Sequence, residues 1–168
     1  MIYKALFLSL MYGGVCQAYA NEEIYETRYG QFQIKESNEY LGGALYFNNK
    51  LVNPVIEGNN SLDVEGIYQL KGDDVLLVED VGGRGCPITL YFVKIAPTKK
   101  VSVSPAFGSC SDLINVSTTT SQIVVKMPDF IGAPESEAQE RAVAQHKMIY
   151  IYDGHVVKEN GKIVQQDN

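Results

Sequence analysis

The 168-residue sequence contains no tryptophan and only two histidines, His146 and His155. The two histidines lie nine positions apart, and no second pair of metal-binding side chains accompanies them. The short acidic stretches KGDDV and VEDVGG lack the regularly spaced oxygen ligands of a calcium loop. We therefore predict that the protein holds no metal ion and no cofactor.

Sequence motifs of common enzymes are also missing. The chain has no glycine-rich loop followed by Lys-Ser or Lys-Thr, no Gly-x-Ser-x-Gly elbow and no Cys-x-x-Cys pair. The stretch GGRG superficially resembles a phosphate-binding loop, but such a loop needs a helix after it, and here a strand pattern follows. These absences predict a protein that is not an enzyme.

The N-terminus has the pattern of a secretory signal peptide. Lys4 supplies a positive charge, Ala5–Met11 is an apolar run too short to span a bilayer, and Ala18-Tyr19-Ala20 matches a cleavage site. Cys16 does not fit a lipoprotein signal, because valine precedes it. We expect residues 1–20 to be removed and residues 21–168 to form a single β-rich domain. The mature chain is expected to be periplasmic or secreted, without membrane insertion.

The composition is acidic. The formal net charge is −6, and it becomes −7 when Lys4 leaves with the signal peptide. A negative field of this size disfavours nucleic acid and anionic membrane surfaces, and it favours a basic protein partner. The alternative is that the charge serves solubility alone.

Export would also reduce the three cysteines to two, Cys86 and Cys110. An even pair in an oxidising compartment predicts one disulfide. The competing interpretation is a reactive thiol, since Arg84 lies two residues from Cys86 and a nearby cation lowers a thiol pKa. An activated cysteine usually also needs a base such as histidine, and both histidines lie far along the chain.

Most of the chain has the pattern of strands. YGQFQIKE (29–36) and KKVSVSP (99–105) alternate with period two, as half-buried strands do. PITLYFVKI (87–95) is the strongest strand signal because it is rich in β-branched and aromatic residues, and SQIVVKMP (121–128) predicts a strand that ends at Pro128. Asn48-Asn49, Asp153-Gly154 and Asn160-Gly161 are dipeptides that favour tight hairpin turns. We predict a mainly β protein of about eight to ten short antiparallel strands, either a sandwich or a partly closed barrel.

One segment, PESEAQERAVAQHK (134–147), is rich in alanine, glutamate and glutamine instead. It predicts a single short helix near residues 135–146, with Ser136 as the cap and Gln139 completing a capping box. The apolar stripe of this segment is thin, so we expect the helix to lie on the surface of a sheet.

The stretches GGRGCP (Gly82–Pro87), FGSCSD (Phe107–Asp112) and VKMP (Val125–Pro128) resemble a pattern in uncharacterised exported proteins of Gram-negative bacteria. The resemblance covers about the middle third of the chain and implies a periplasmic setting. It implies no activity.

The candidate binding site is the loop Gly82-Gly83-Arg84-Gly85 together with Asp112. A disulfide at Cys86 would hold this loop beside the segment of Asp112, and Arg84 could then bind a carboxylate. The alternatives are that Arg84 pairs with Asp112 or points into water.

Tyrosine supplies a secondary candidate surface. The chain has eleven tyrosines, and tyrosine is common both in recognition surfaces and in ordinary strands. Tyr150, Tyr152 and His155 in the last predicted hairpin form that surface.

Three function classes follow. The first is an exported binding protein, such as an inhibitor or an immunity protein for a basic partner. The second is a structural or assembly subunit of the cell envelope, which would need an exposed edge strand. The third is a small thiol-dependent enzyme.

Overall fold

The structure is a computed structural model that describes residues 23–165. The predicted signal peptide therefore lies outside the described residues. Within this range the protein is built from three antiparallel sheets and one short helix, and the strands do not close into a barrel. The predicted mainly β antiparallel fold with one short helix is confirmed, and of the two predicted architectures the structure is consistent with the sandwich. No helix in this range is long and apolar enough to cross a bilayer.

Sheet A is the N-terminal sheet, with the strand order β1-β2-β3-β4. Its strands are β1 (Glu23–Thr27), β2 (Gly30–Lys35), β3 (Ala44–Phe47) and β4 (Lys50–Leu51). The turn between β3 and β4 is formed by Asn48 and Asn49, whose φ angles are 46° and 64°. Asparagine tolerates positive φ, and two successive positive φ angles give the tight turn that the sequence predicted.

Sheet B has the order β5-β6-β7-β8, and β9 also pairs with β7. Its strands are β5 (Ser61–Leu70), β6 (Asp73–Val81), β7 (Ile88–Ile95), β8 (Val101–Val103) and β9 (Phe107–Cys110). The turn between β5 and β6 is made by Lys71 and Gly72, both with positive φ.

Sheet C contains the C-terminal strands in the order β10-β11-β12-β13-β14. Its strands are β10 (Asn115–Thr118), β11 (Ile123–Pro128), β12 (Lys147–Tyr152), β13 (Val157–Glu159) and β14 (Lys162–Ile163). The described residues thus form fourteen strands, more than the eight to ten predicted. The excess consists mainly of strands of two to five residues, which are too short to show a clear alternation.

The two hairpin turns predicted in sheet C have different outcomes. Asn160 and Gly161 have φ angles of 45° and 86° and form the predicted tight turn. The prediction of a tight turn at Asp153-Gly154 was wrong, because β12 ends at Tyr152 and β13 begins only at Val157. The Asp153 carboxylate accepts the backbone N–H groups of His155 and Val156 and so closes a longer loop.

Sheet B lies between the other two sheets and is covered on both faces. Val75 and Leu77 of β6 pack against residues of sheet C, whereas Leu76 and Val78 pack against sheet A. Successive strand residues point to opposite faces, so a strand between two cores must be apolar at consecutive positions. This explains the uninterrupted buried run of β6.

A β-bulge in β5 changes which of the two cores the even-numbered side chains of this strand face. Val64 pairs with Val78 and packs toward sheet A, but Gly66 pairs with Leu77, so Glu65 is the extra residue. Beyond the bulge, Tyr68 and its even-numbered neighbours pack toward sheet C. The inserted residue changes which face each following side chain occupies.

The helix α1 (Glu137–Gln145) confirms the prediction for residues 135–146. The Ser136 side chain accepts a hydrogen bond from Gln139 N, as an N-cap does. The Gln139 side chain accepts from Glu135 N rather than from Ser136 N. The helix has no buried residue and lies on the surface, as its thin apolar stripe indicated.

Candidate functional site

Cys86 and Cys110 are joined by a disulfide, with their Cα atoms 4.6 Å apart. Cys86 lies just before β7 and Cys110 ends β9, and the pairing of Ile88 with Cys110 brings the two strands together. The predicted disulfide is confirmed. Since the sulfur atoms are bonded to each other, neither described cysteine offers a thiolate.

The loop from Gly82 to Pro87 is closed by backbone hydrogen bonds. Gly82 N donates to Pro87 O at 2.7 Å, and Cys86 N donates to Gly83 O at 3.2 Å. A Cβ atom on Gly82 would lie 2.2 Å from Cys86 O, so this position requires glycine. The loop is thus a defined turn joined to the disulfide.

Gly83 and Gly85 differ from Gly82, because a Cβ atom on either would meet nothing within 4 Å, and neither has a φ angle in the left-handed region. The fold therefore does not require glycine at these two positions. Their effect is to leave bare backbone on both sides of Arg84.

Arg84 is exposed and makes no ion pair or hydrogen bond with any residue in 23–165. Asp112 is also exposed and has no side-chain partner in the same range. The ion pair between Arg84 and Asp112, which was one of the predicted alternatives, is therefore absent. The disulfide brings the two segments together but leaves both charges open to a binding partner.

A third segment supports the loop. A Cβ atom on Gly132 would lie 2.8 Å from Gly85 O and 3.0 Å from Gly85 Cα, so the chain after β11 runs directly against the loop. The sequence did not predict this contact, because it joins positions 47 residues apart through glycines that carry no side chain. The loop is held by strands, disulfide and this segment together.

An open groove of about 530 Å³ begins at Asp112. Leu113 at its rim is 67% exposed, while Met127 in its lining is fully buried. Lys126 and Lys147 also line the groove. The sequence did not identify this groove, because the pattern of apolar residues does not reveal which of them stays exposed.

The secondary candidate surface needs a correction. Tyr150 and Tyr152 are only 1% and 3% exposed, and they belong to the core between sheets B and C. The Tyr152 ring stacks on Phe92 at a centroid distance of 4.5 Å, and Tyr150 contacts Phe107 at 5.2 Å. Both tyrosines alternate with residues on the other face of β12, and their face is the inner one. Of the three residues, only His155 is exposed.

Three carboxylates that the sequence analysis did not single out lie together near the bulge of β5. Asp63 pairs directly with Glu79, and Glu65 occupies the bulge. Partial burial, followed by repulsion from Glu65 and Asp63, raises the pKa of Glu79 to about 7. The bulge brings Glu65 and Glu79 close, which strand alternation alone does not predict.

Within the described residues no group of three or more histidine, cysteine, aspartate or glutamate side chains is arranged to hold a metal ion. His146 Nδ1 lies 3.4 Å from Asp129 Oδ2. His155 lies at the other end of β12, in the loop after it.

Comparisons of the chain with protein-family models, with curated proteins and with solved structures give no match.

Proposed function

We propose that the protein is an exported binding protein, and that the surface around Arg84 contacts its partner. The observation that carries the proposal is the state of this arginine. It is exposed, it has no partner among residues 23–165, and it lies between two glycines that the fold does not require.

The loop is suited to binding because its conformation is set in advance. Two backbone hydrogen bonds, the Cys86–Cys110 disulfide and the contact with Gly132 hold it. A preorganised loop loses less conformational entropy when a partner binds, so more of the contact energy appears as affinity. Bare backbone beside Arg84 also lets a partner approach the guanidinium closely.

The proposed partner is a basic protein that presents a carboxylate to Arg84. The net charge of −6 attracts a cationic protein over distance, and the guanidinium can bind a carboxylate through two parallel hydrogen bonds. An apolar side chain of the partner would contact Leu113 and the groove beside it. An inhibitor or an immunity protein for a cationic secreted enzyme fits this description.

Export to the periplasm or beyond is part of this proposal. It is supported by the signal-peptide pattern of residues 1–20 and by the disulfide, because disulfides persist in oxidising compartments.

The test is a capture experiment with three immobilised proteins. Each is exposed to an extract of the cell compartment in which the native protein is found, and the bound proteins are compared. Wild-type protein, Arg84→Ala and the matched control Arg141→Ala are immobilised, since Arg141 is an exposed arginine of the helix and not of the loop. We expect one protein to bind wild type and control equally, and Arg84→Ala at least about tenfold more weakly, or about 1.4 kcal/mol. Equal binding by all three would refute the assignment of the site.

Strand addition is a second candidate function, favoured by the free edge of β10. This strand is the edge of sheet C, and its sequence Asn115–Thr118 carries no charge that would oppose another strand. An assembly subunit of the cell envelope would use such an edge. Thr118→Pro removes a backbone N–H that faces the free edge, because the pairing alternates from the hydrogen-bonded pair Thr119–Gln122. This variant should then abolish assembly while Arg84→Ala leaves it intact, which separates the two functions.

A further inference from the structure

A second cleft, of about 390 Å³, opens between sheets B and C at the far end of the molecule from the disulfide. Strand β7 begins at Ile88, which pairs with Cys110, and ends at Ile95 near this cleft. Its eight residues span roughly 23 Å, at about 3.3 Å per residue. The cleft is therefore separate from the surface around Arg84. We call it the far cleft, and its polar lining residues are Lys94, Lys100, Ser102, Ser104, Tyr152 and His155.

None of the nine residues that line the far cleft is acidic, although the whole chain has a net charge of −6. Lys94 and Lys100 supply two cationic side chains. The Lys94 Nζ atom is fixed by donating to Gly154 O at 2.8 Å, and it lies 3.4 Å from Asp73 Oδ2. Asp73 therefore neutralises part of the charge on Lys94.

Lys100 is the unpaired cation of the far cleft. It is exposed and makes no ion pair with any residue in the described range. The turn that carries it is closed by two hydrogen bonds, from Ala96 N to Lys100 O and from Lys99 N to Ala96 O. The backbone at Lys100 is thus fixed while its ammonium group remains free to bind an anion.

Hydroxyl groups complete the lining. Ser102 pairs with Lys94 across the sheet, so both side chains lie on the face toward sheet C, and the Ser102 hydroxyl has no partner within residues 23–165. Ser104 is already engaged, since its Oγ accepts from Phe92 N and donates to Pro105 O. The fold leaves Ser102 as a free donor beside the lysines.

Tyr152 is only 3% exposed, yet its hydroxyl has no hydrogen-bond partner in the described part of the chain. Buried tyrosine hydroxyls usually have a partner. In the described part of the chain, Gln33 Oε1 is the only fully buried side-chain polar atom without a partner. The unpartnered Tyr152 hydroxyl is therefore in contact with solvent, and it reaches that solvent through the far cleft, which Tyr152 lines. Burial, followed by the negative charges of Asp153 and Asp73, raises the pKa of Tyr152 to about 12, so the group remains a neutral O–H donor.

We infer that the far cleft binds a small molecule through a phosphate or carboxylate group. The free ammonium of Lys100 and the unpartnered hydroxyls of Ser102 and Tyr152 are donors without acceptors, and an oxyanion supplies several acceptor oxygens at once. The negative charge of Asp153 acts on Tyr152, but its carboxylate is engaged by the N–H groups of His155 and Val156. The volume fits a compact organic anion rather than a polymer.

The test is an NMR titration of the whole mature protein with inorganic phosphate, glycerol phosphate and citrate, each against sodium chloride at the same ionic strength. We expect saturable shifts of the Ser102, Gly154 and His155 amides with at least one of the three anions. Lys100→Ala and Ser102→Ala should each weaken binding at least about fivefold, whereas the exposed control Lys162→Ala should leave the affinity unchanged.

The absence of saturable shifts with all three anions would overturn the inference. An equal loss of affinity in Lys162→Ala and Lys100→Ala would also overturn it, because the binding would then reflect the general field of surface lysines. The three anions distinguish phosphate from carboxylate recognition. Since Arg84 takes no part, the Arg84→Ala variant should bind the anion normally, so failure here leaves the proposed partner surface unaffected.

Discussion

Arg28 and Asp74 connect sheet A to sheet B through two hydrogen bonds. The backbone N of Arg28 donates to Asp74 Oδ2 and its Nε donates to Asp74 Oδ1, both at 2.7 Å. Asp74 is only 2% exposed, so its charge is removed from water and depends on these partners. Arg28 also donates to the carbonyl oxygens of Gly72 and Asp73, which extends the contact along the β5–β6 turn.

We predict that Asp74→Asn destabilises the protein by about 2–4 kcal/mol. An asparagine has one acceptor oxygen where the carboxylate has two, so its amide group would face a donor of Arg28. Urea denaturation measures the change, with Asp112→Asn as the control because Asp112 is exposed and without a partner in the described range. Equal unfolding midpoints for both variants would contradict the structural role of this pair.

The second prediction concerns the disulfide. Replacing both Cys86 and Cys110 by serine should lower the free energy of unfolding by about 3 kcal/mol, because the bond closes a chain segment 24 residues long. Denaturation midpoints of wild type and variant, each with and without reductant, check this. Reductant should bring the wild type close to the variant and leave the variant unchanged. A wild type insensitive to complete reduction would show that the bond contributes nothing.

The third prediction separates the glycines of the Arg84 loop. Gly82→Ala should destabilise the fold by about 1–3 kcal/mol, since its Cβ atom would lie 2.2 Å from Cys86 O. Gly83→Ala should be neutral or stabilising by up to about 1 kcal/mol, since it meets no atom within 4 Å and restricts the unfolded chain. Thermal unfolding of the two variants tests the contrast. A loss of stability in both would mean that the open space beside Gly83 does not exist in solution.

The fourth prediction is a pH dependence from Glu79. Its pKa is raised from 4.5 to about 7, so the folded protein binds this proton more tightly than the unfolded chain does. The resulting stability is fully present below about pH 4.5 and is lost as the pH rises through about 7. Glu79→Gln, which stays neutral, should exceed the wild type by about 1 kcal/mol at about pH 8, after allowance for solvent screening.

The measurement is urea denaturation of Glu79→Gln, wild type and the control Glu36→Gln across this pH range. Glu36 is exposed, so its substitution should shift neither the midpoint nor its pH dependence. A constant difference between Glu79→Gln and wild type at all pH values would exclude titration of Glu79 as the cause.

The sequence predicts those elements whose residues contain a local signal. The alternation of Phe32 and Ile34 predicts β2, and the cap at Ser136 predicts the helix. The stacking of three sheets could not be predicted from the sequence. The apolar run of β6 is compatible with a strand covered on both faces, but equally with a short buried helical segment. That run becomes informative only when the covering sheets are known.

The candidate sites show the same limit. The two cysteines predicted the position of the Arg84 loop, since a disulfide is itself a contact between distant residues. Tyr152 was assigned to the surface because composition does not reveal which face of β12 is inner. A signal for the far cleft was present, since Lys100, Ser102 and Ser104 alternate and share a face, but the loop opposite them was not predictable.

The position of sheet B between two cores has a consequence for hydrogen exchange. Strands β6 and β7 have neighbours on both edges and sheets on both faces, so their amides should exchange only when the whole protein unfolds. The two-residue strands β4 and β14, at the outer edges of sheets A and C, should exchange by local fraying. Protection should therefore decrease outward from the middle layer in both directions, and the slowest amides would report the global stability.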